Sequence, residues 1–252
     1  MGDNKFIKDE SSYIFDKSMN CPVCDKPFKT KQVRTGKARF LGTDEVLRPS
    51  YSGVDVTKYD VIMCPHCGYA AVNRTYGHIT PRQIQAVKRD IGARYKALVQ
   101  ESDIYSYDMA IRRCKMAMLT AMVINQKVSE NAYLCLKLAW LYRGAIEEMK
   151  NYGENAAKIQ KYAASQHEYL IDAYKGFAKA LETEYPPICN IDEMTLNYLM
   201  TSLAAECGDY DDALRFAYAI IGSRSASSSL KEKARILSDE IKAKKAETIP
   251  KE

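Results

Sequence analysis

Cys21-Pro22-Val23-Cys24 and Cys64-Pro65-His66-Cys67-Gly68 decide how the rest of this chain is read. Each stretch is a Cys-x-x-Cys pair with proline directly after its first cysteine. A tight turn of this length sets two thiolates on one side of the backbone, and two such turns supply four sulfurs. Four sulfurs in tetrahedral array suit a structural Zn²⁺. Gly68, after the second pair, fits a turn whose backbone needs a positive φ. The gap between the pairs, Asp25 to Met63, is 39 residues and exceeds the usual ribbon spacing. Chain entropy tolerates it, because each doubling of a loop costs only about 0.6 kcal/mol.

Two other chemistries use the same residues. Paired Cys-x-x-Cys motifs serve as redox dithiols, although the βαβ pattern of a thioredoxin-like site is missing here. An iron–sulfur cluster also takes four cysteines, and the sequence leaves it open. With Cys21, Cys24, Cys64 and Cys67 as ligands the shell is closed, which argues for a structural metal over a catalytic one.

The 252 residues allow one large domain or two modest ones. We expect a zinc-ribbon-like module over residues 1–79 and a helical domain over 80–252, mainly α in class. A net charge of +5 permits an acidic or nucleic-acid partner without demanding one. Of eight cysteines, four fall in the two pairs; Cys114, Cys135, Cys189 and Cys207 are scattered, as buried free thiols would be. That usage fits a reducing cytoplasm. Residues 1–20 are polar, without the apolar core of a signal peptide, and read as a loose lead-in with Ile14 and Phe15 packing on the ribbon. Phe6 stands where a myristoylation signal after Gly2 needs Ser or Thr. No apolar run reaches membrane-spanning length, so no membrane partner is expected.

After the first pair come Lys26, Lys29, Lys31, Arg34, Lys37 and Arg39, interleaved with Phe28, Val33 and Phe40. Partial alternation predicts two short strands. Basic residues mixed with aromatics suit a phosphate backbone or stacked bases, while a solvated ribbon surface is the plainer reading. Residues 42–53 read as an irregular loop, and Val61 and Met63 as a strand leading into the second pair. Residues 69–79 read as a connector.

Thr80-Pro81-Arg82-Gln83 is a helix start, with Thr80 as cap, Pro81 at the first position and Gln83 closing a capping box. Ile84, Val87, Ile91, Tyr95 and Leu98 then share one face. Further helices are expected from Tyr107 to Gln126, Ser129 to Lys150, and Asn155 to Glu184 before Pro186-Pro187. Asp192 caps a helix ending near Gly208, Asp209 starts another to Ile221, and Leu230 to Ala246 is the last.

Gly208-Asp209-Tyr210-Asp211-Asp212-Ala213-Leu214 resembles the inter-helix turn of tetratricopeptide repeats: glycine, an aromatic two later, alanine three after that. Weaker echoes are Tyr107 to Ala110 with Cys114 and Ala117; Ala173, Phe177 and Ala180; and Leu138, Ala139 and Tyr142. Unit spacing varies, so a plain helical bundle remains the alternative to a tetratricopeptide-like array. The whole order resembles one bacterial family, the domain of unknown function numbered 2225. The segment Tyr59-Asp60-Val61-Ile62-Met63-Cys64-Pro65-His66-Cys67-Gly68-Tyr69-Ala70 carries the specific part of the likeness. The resemblance implies a metal-binding helical-repeat protein and no particular activity.

Catalytic patterns are missing. His66 sits inside a knuckle, where middle residues point away from the metal, and His78 is a weaker candidate ligand. His167-Glu168 begins like a zinc-protease motif, but Ile171 holds the place of the second histidine. No nucleophile elbow, Rossmann glycine pattern or Walker loop occurs. The leading expectation is a zinc-binding scaffold or adaptor that holds a protein or peptide in its helical array. The alternatives are nucleic-acid binding through the ribbon and basic first helix, and a thiol-based redox sensor or enzyme.

Overall fold

The computed structural model describes residues 10–97, 103–153 and 156–248. Phe6, Leu98, Asn155 and the charged end of the chain past residue 248 lie outside the described residues. Among those described, three antiparallel hairpins precede the long helices. Strand β1 (Ile14–Asn20) pairs with β2 (Pro27–Val33), β3 (Phe40–Thr43) with β4 (Pro49–Tyr51), and β5 (Val61–Met63) with β6 (Ala70–Val72). Seven α-helices follow: α1 (Pro81–Val87), α2 (Tyr107–Val123), α3 (Val128–Tyr152), α4 (Ala156–Thr183), α5 (Glu193–Glu206), α6 (Tyr210–Gly222) and α7 (Ser228–Thr248). The class is mainly α, with a small strand region ahead of a helical array.

Three stretches read as irregular turn out to be strands. The expected lead-in forms β1, whose Ile14 is buried and pairs with Val33, while Phe15 stays exposed. The expected loop at 42–53 contains most of the β3–β4 hairpin, and the expected connector at 69–79 supplies β6. The helix starting at Pro81 is shorter than expected. Its capping box is present, with Thr80 Oγ1 accepting from Gln83 N–H and the Gln83 side chain from Thr80 N–H. After Val87 the backbone widens into a π turn over Lys88–Gly92, where Ala93 N–H reaches back to Lys88.

Contacts divide the chain into two compact units. The first draws on Met1–Thr43, Pro49–Lys127 and Lys137–Gln166; the second on Asp44–Arg48, Val128–Leu136 and His167–Glu252. A boundary after residue 79 would therefore cut through packed residues, because Ile84, Val87 and Ile91 lie against the cysteine-bearing hairpins.

In the first unit α2 packs on β5 and β6. A second cluster gathers Ile14, Val54, Tyr59 and Tyr105, with the Tyr59 and Tyr105 rings stacked at 5.2 Å. Arg113 of α2 is fully buried between the hairpins. Its guanidinium donates to Thr30 Oγ1 of β2 at 3.1 Å and to the Val61 carbonyl of β5 at 3.3 Å, with its carbon 4.3 Å from the Tyr105 ring centre.

In the second unit α6 packs on both α5 and α7. The expected caps are in place: Asp192 accepts from Thr195 N–H at 3.0 Å, and Asp209 from Asp212 N–H at 3.2 Å. Gly208 ends α5 at φ +77°, a conformation costly for other residues. Ala204, Ala213 and Ile241 form one cluster, with Tyr210 packed against it. Ala173, Phe177 and Ala180 are buried along one face of α4. Among the described residues no helix is long and apolar enough to cross a membrane.

Candidate metal centre

Each Cys-x-x-Cys pair sits in the turn of its own hairpin, and the two turns share one backbone pattern. In the β1–β2 turn, Asp25 N–H donates to the Cys21 carbonyl at 2.9 Å and Cys21 N–H to that of Lys26 at 3.1 Å. In the β5–β6 turn, Gly68 N–H donates to the Cys64 carbonyl at 3.0 Å and Cys64 N–H to that of Tyr69 at 2.8 Å. The residue after each second cysteine is left-handed, Asp25 at φ +59° and Gly68 at +77°. Proline after the first cysteine has no N–H, so the next amide is the first able to turn toward the sulfur. Val23 N–H does so, 3.4 Å from Cys21 Sγ.

The turns meet sulfur to sulfur. Cys21 Sγ lies 3.6 Å from Cys67 Sγ, Cys24 Sγ lies 3.7 Å from Cys64 Sγ, and all four atoms fall within 4.8 Å of one another. A disulfide needs about 2.05 Å, and all four cysteines are free. A regular tetrahedron with zinc–sulfur bonds of about 2.3 Å has edges of about 3.8 Å. The four-sulfur donor set therefore fits a tetrahedral thiophilic cation in both chemistry and size. The structure brings all four expected residues together, two from each hairpin.

The thiols share their protons unevenly. Hydrogen bonds from Cys64 and then Cys67 push the Cys21 thiol down to about 2, against its burial. The same contact with Cys21 pushes Cys64 up to about 12, and Cys67 upward as well. A cation held here would displace the protons that the raised thiols keep.

Around the sulfurs the environment is dry. Cys21, Cys64 and Cys67 are buried among Val23, Phe28, Ile62, Tyr69, Tyr76, Val87 and Ile91, and only Cys24 is half-exposed. Tyr69 Oη donates to the Tyr76 carbonyl at 2.7 Å, and the two rings lie 4.9 Å apart. Tyr76 itself is buried, and burial, then the charge and hydrogen bond of Cys21, raises the pKa of its hydroxyl. Among the described residues, the metal-binding group at this site consists of these four sulfurs, enough for a closed tetrahedral shell.

The histidines stay outside this cluster. His66 is exposed and its Nε2 lies 3.2 Å from the Pro27 carbonyl, tying the second turn to β2. His78 and His167 are exposed. Of the scattered cysteines, Cys114 is buried, while Cys135, Cys189 and Cys207 are half-buried and join no metal-binding group among the described residues.

Sequence reasoning missed Arg113, Tyr69 and Tyr76 as supports of the centre. The spacing of Tyr69 one residue after Gly68 was the available signal; nothing in the sequence marks Arg113. It grouped Tyr95 with an apolar helix face, whereas that ring stands over Gly68, where an added Cβ would fall 2.4 Å from it.

No curated protein and no solved structure gives a significant match to the chain. A family model described as an uncharacterised protein conserved in bacteria, DUF2225, matches residues 14–241. That span runs from the first strand of the first cysteine hairpin into the last helix, and the chain belongs to this family.

Proposed function

We propose that this protein is a non-catalytic adaptor whose N-terminal hairpins are locked by one structural zinc ion and whose helices α5–α7 receive a protein or peptide partner. The observation that carries the reading is the enclosed four-sulfur cluster. Cys21, Cys24, Cys64 and Cys67 would hold the ion, and a bound zinc would supply cross-linking charge and no chemistry. Each hairpin alone buries too little apolar surface to persist in water, so the ion would join them into one folded piece.

The partner-binding half of the reading is supported by the Gly208–Ala213 turn. Left-handed Gly208 closes α5, Tyr210 packs at the crevice, and fully buried Ala213 lets α5 and α6 approach, as in tetratricopeptide helix pairs. The free thiols fit a reducing compartment, where we place the protein.

The test has two parts. Elemental analysis of the purified chain should return about one zinc per chain. Photo-crosslinking residues at Tyr218 and Ile236, exposed on α6 and α7, should trap a defined partner in native cells. Trapping only from a position such as Lys29, exposed on β2, would remove the adaptor reading.

A further inference from the structure

Cations and rings alternate along one strip of the first unit. The Arg34 guanidinium lies 5.5 Å from the Phe15 ring centre, and the Lys37 ammonium 5.5 Å from that of Tyr13. Backbone bonds tie these together: Arg34 N–H donates to the Tyr13 carbonyl at 2.7 Å, and Lys37 N–H to that of Arg34 at 3.3 Å. The Tyr13 ring rests on Gly53, where a Cβ would fall 2.5 Å from its Cζ. Next to Gly53, Ser52 accepts from Arg39 N–H at 2.9 Å and donates its own N–H to the Arg39 carbonyl at 2.9 Å. Phe40 follows, 53% exposed, its ring 5.3 Å from Tyr51.

Two features of this strip are unlike an ordinary solvated surface. Arg34, Lys37 and Arg39 are all exposed, and no carboxylate among the described residues pairs with them. Large apolar side chains stand beside them in water: Phe15, Phe40 and Leu41. Unpaired cations call for an anionic ligand, and open aromatic faces call for flat apolar groups in the same ligand. Single-stranded nucleic acid carries both, phosphates along its backbone and bases with free π-faces. A duplex hides its base faces, an acidic peptide leaves the rings uncovered, and Leu41 is the only aliphatic member of the strip that a lipid surface could take up.

We propose that this strip binds single-stranded RNA or DNA, with phosphates at Arg34, Lys37 and Arg39 and a base stacked on Phe40. None of its residues belongs to α5–α7, so it stands or falls independently of the adaptor reading.

Fluorescence anisotropy of the full, metal-loaded chain with labelled oligo-uridine and oligo-thymidine of about 15 nucleotides tests it. Binding should weaken between about 50 and 200 mM salt, with a slope of log K on log salt near −2 for three phosphate contacts. The Arg34→Ala/Lys37→Ala/Arg39→Ala variant should bring that slope close to zero. Phe40→Ala should weaken binding about tenfold at an unchanged slope. All four positions are exposed, so thermal melts of these variants should match the parent.

Three results overturn the proposal: no binding at about 50 mM salt, equal affinity for the parent and the triple variant, or tighter binding to a duplex of the same length. Sedimentation with vesicles of phosphatidylserine and phosphatidylcholine, without oligonucleotide binding, would reassign the strip to lipid and also overturn it.

Discussion

The ring of Tyr95 closes over Gly68, so the second cysteine turn has no space for a side chain: a Cβ at residue 68 would fall 2.4 Å from Tyr95 Cδ2. Gly68 also holds φ at +77°. Gly68→Ala therefore meets two penalties, a left-handed backbone and a displaced ring. We expect a loss of about 1–3 kcal/mol in denaturant unfolding of the metal-loaded protein. Combining it with Tyr95→Ala should recover the steric part and leave the backbone part. A double variant no more stable than the sum of its singles would break the argument.

Ligand loss should be specific. Cys24→Ser and Cys67→Ser are each expected to abolish stoichiometric zinc, whereas His66→Ala should retain it, because His66 faces the Pro27 carbonyl outside the cluster. Zinc content by elemental analysis decides the point. Binding displaces thiol protons, so acidification should weaken it and alkalinisation strengthen it up to the range where the thiols are already ionised. Competition with a chromogenic chelator across pH reads this directly.

Arg113 holds the two cysteine hairpins to α2 through Thr30 and Val61. Arg113→Leu removes the charge and leaves two buried acceptors without this donor. A loss of about 2–4 kcal/mol is expected. Faster zinc release to a chelator should accompany it, since the hairpins would then part more easily. If release is unchanged while stability falls, the arginine supports α2 and not the centre.

Alkaline stability provides a separate check in the second unit. Burial, then the charge of Asp172, pushes the Cys135 thiol from 9.0 up to about 12; burial, then Glu206, pushes Cys207 up to about 11. Raised values mean that the folded chain keeps protons the unfolded chain releases. Their contribution is whole below pH 9 and lost as pH climbs from 9 toward 11–12. Cys135→Ala should flatten the alkaline limb of the stability curve measured by urea unfolding.

Ala213 is fully buried where α5 and α6 meet. Ala213→Trp should lower the melting temperature by an amount matching about 1–3 kcal/mol of overpacking. An unaltered melt would refute the close approach of the two helices.

Local signals with their own chemistry were legible in the sequence. Thr80, Pro81 and Gln83 announce a capping box because each satisfies or removes a specific amide at one helix end. Asp192, Asp209 and Gly208 mark helix ends in the same way. The meeting of Cys21, Cys24, Cys64 and Cys67 was legible because proline and cysteine fix both turns by themselves. What was hidden depends on partners distant in sequence. Strand β1 exposes most of its side chains, so Ile-Phe-Asp-Lys-Ser-Met-Asn has no apolar alternation, and its pairing with β2 comes from the turn between them. The helix after Thr80 keeps its apolar period through Ile91 and Tyr95, yet the backbone leaves α geometry at Lys88. Tyr95 thereby comes to lie on the Gly68 turn, which no local pattern records. Arg113 looks like an ordinary helix-surface residue until the two hairpins close around it.

The two cysteine turns are alike in backbone but differ in cover. One is roofed by an aromatic ring; the other ends in solvent-exposed Asp25, next to half-exposed Cys24. A held ion would thus be most open to solvent on the Cys24 side. Exchange with the cell's metal buffers would start at Cys24 and end at the sheltered sulfurs, which makes departure an ordered sequence and gives a competing thiol its doorway.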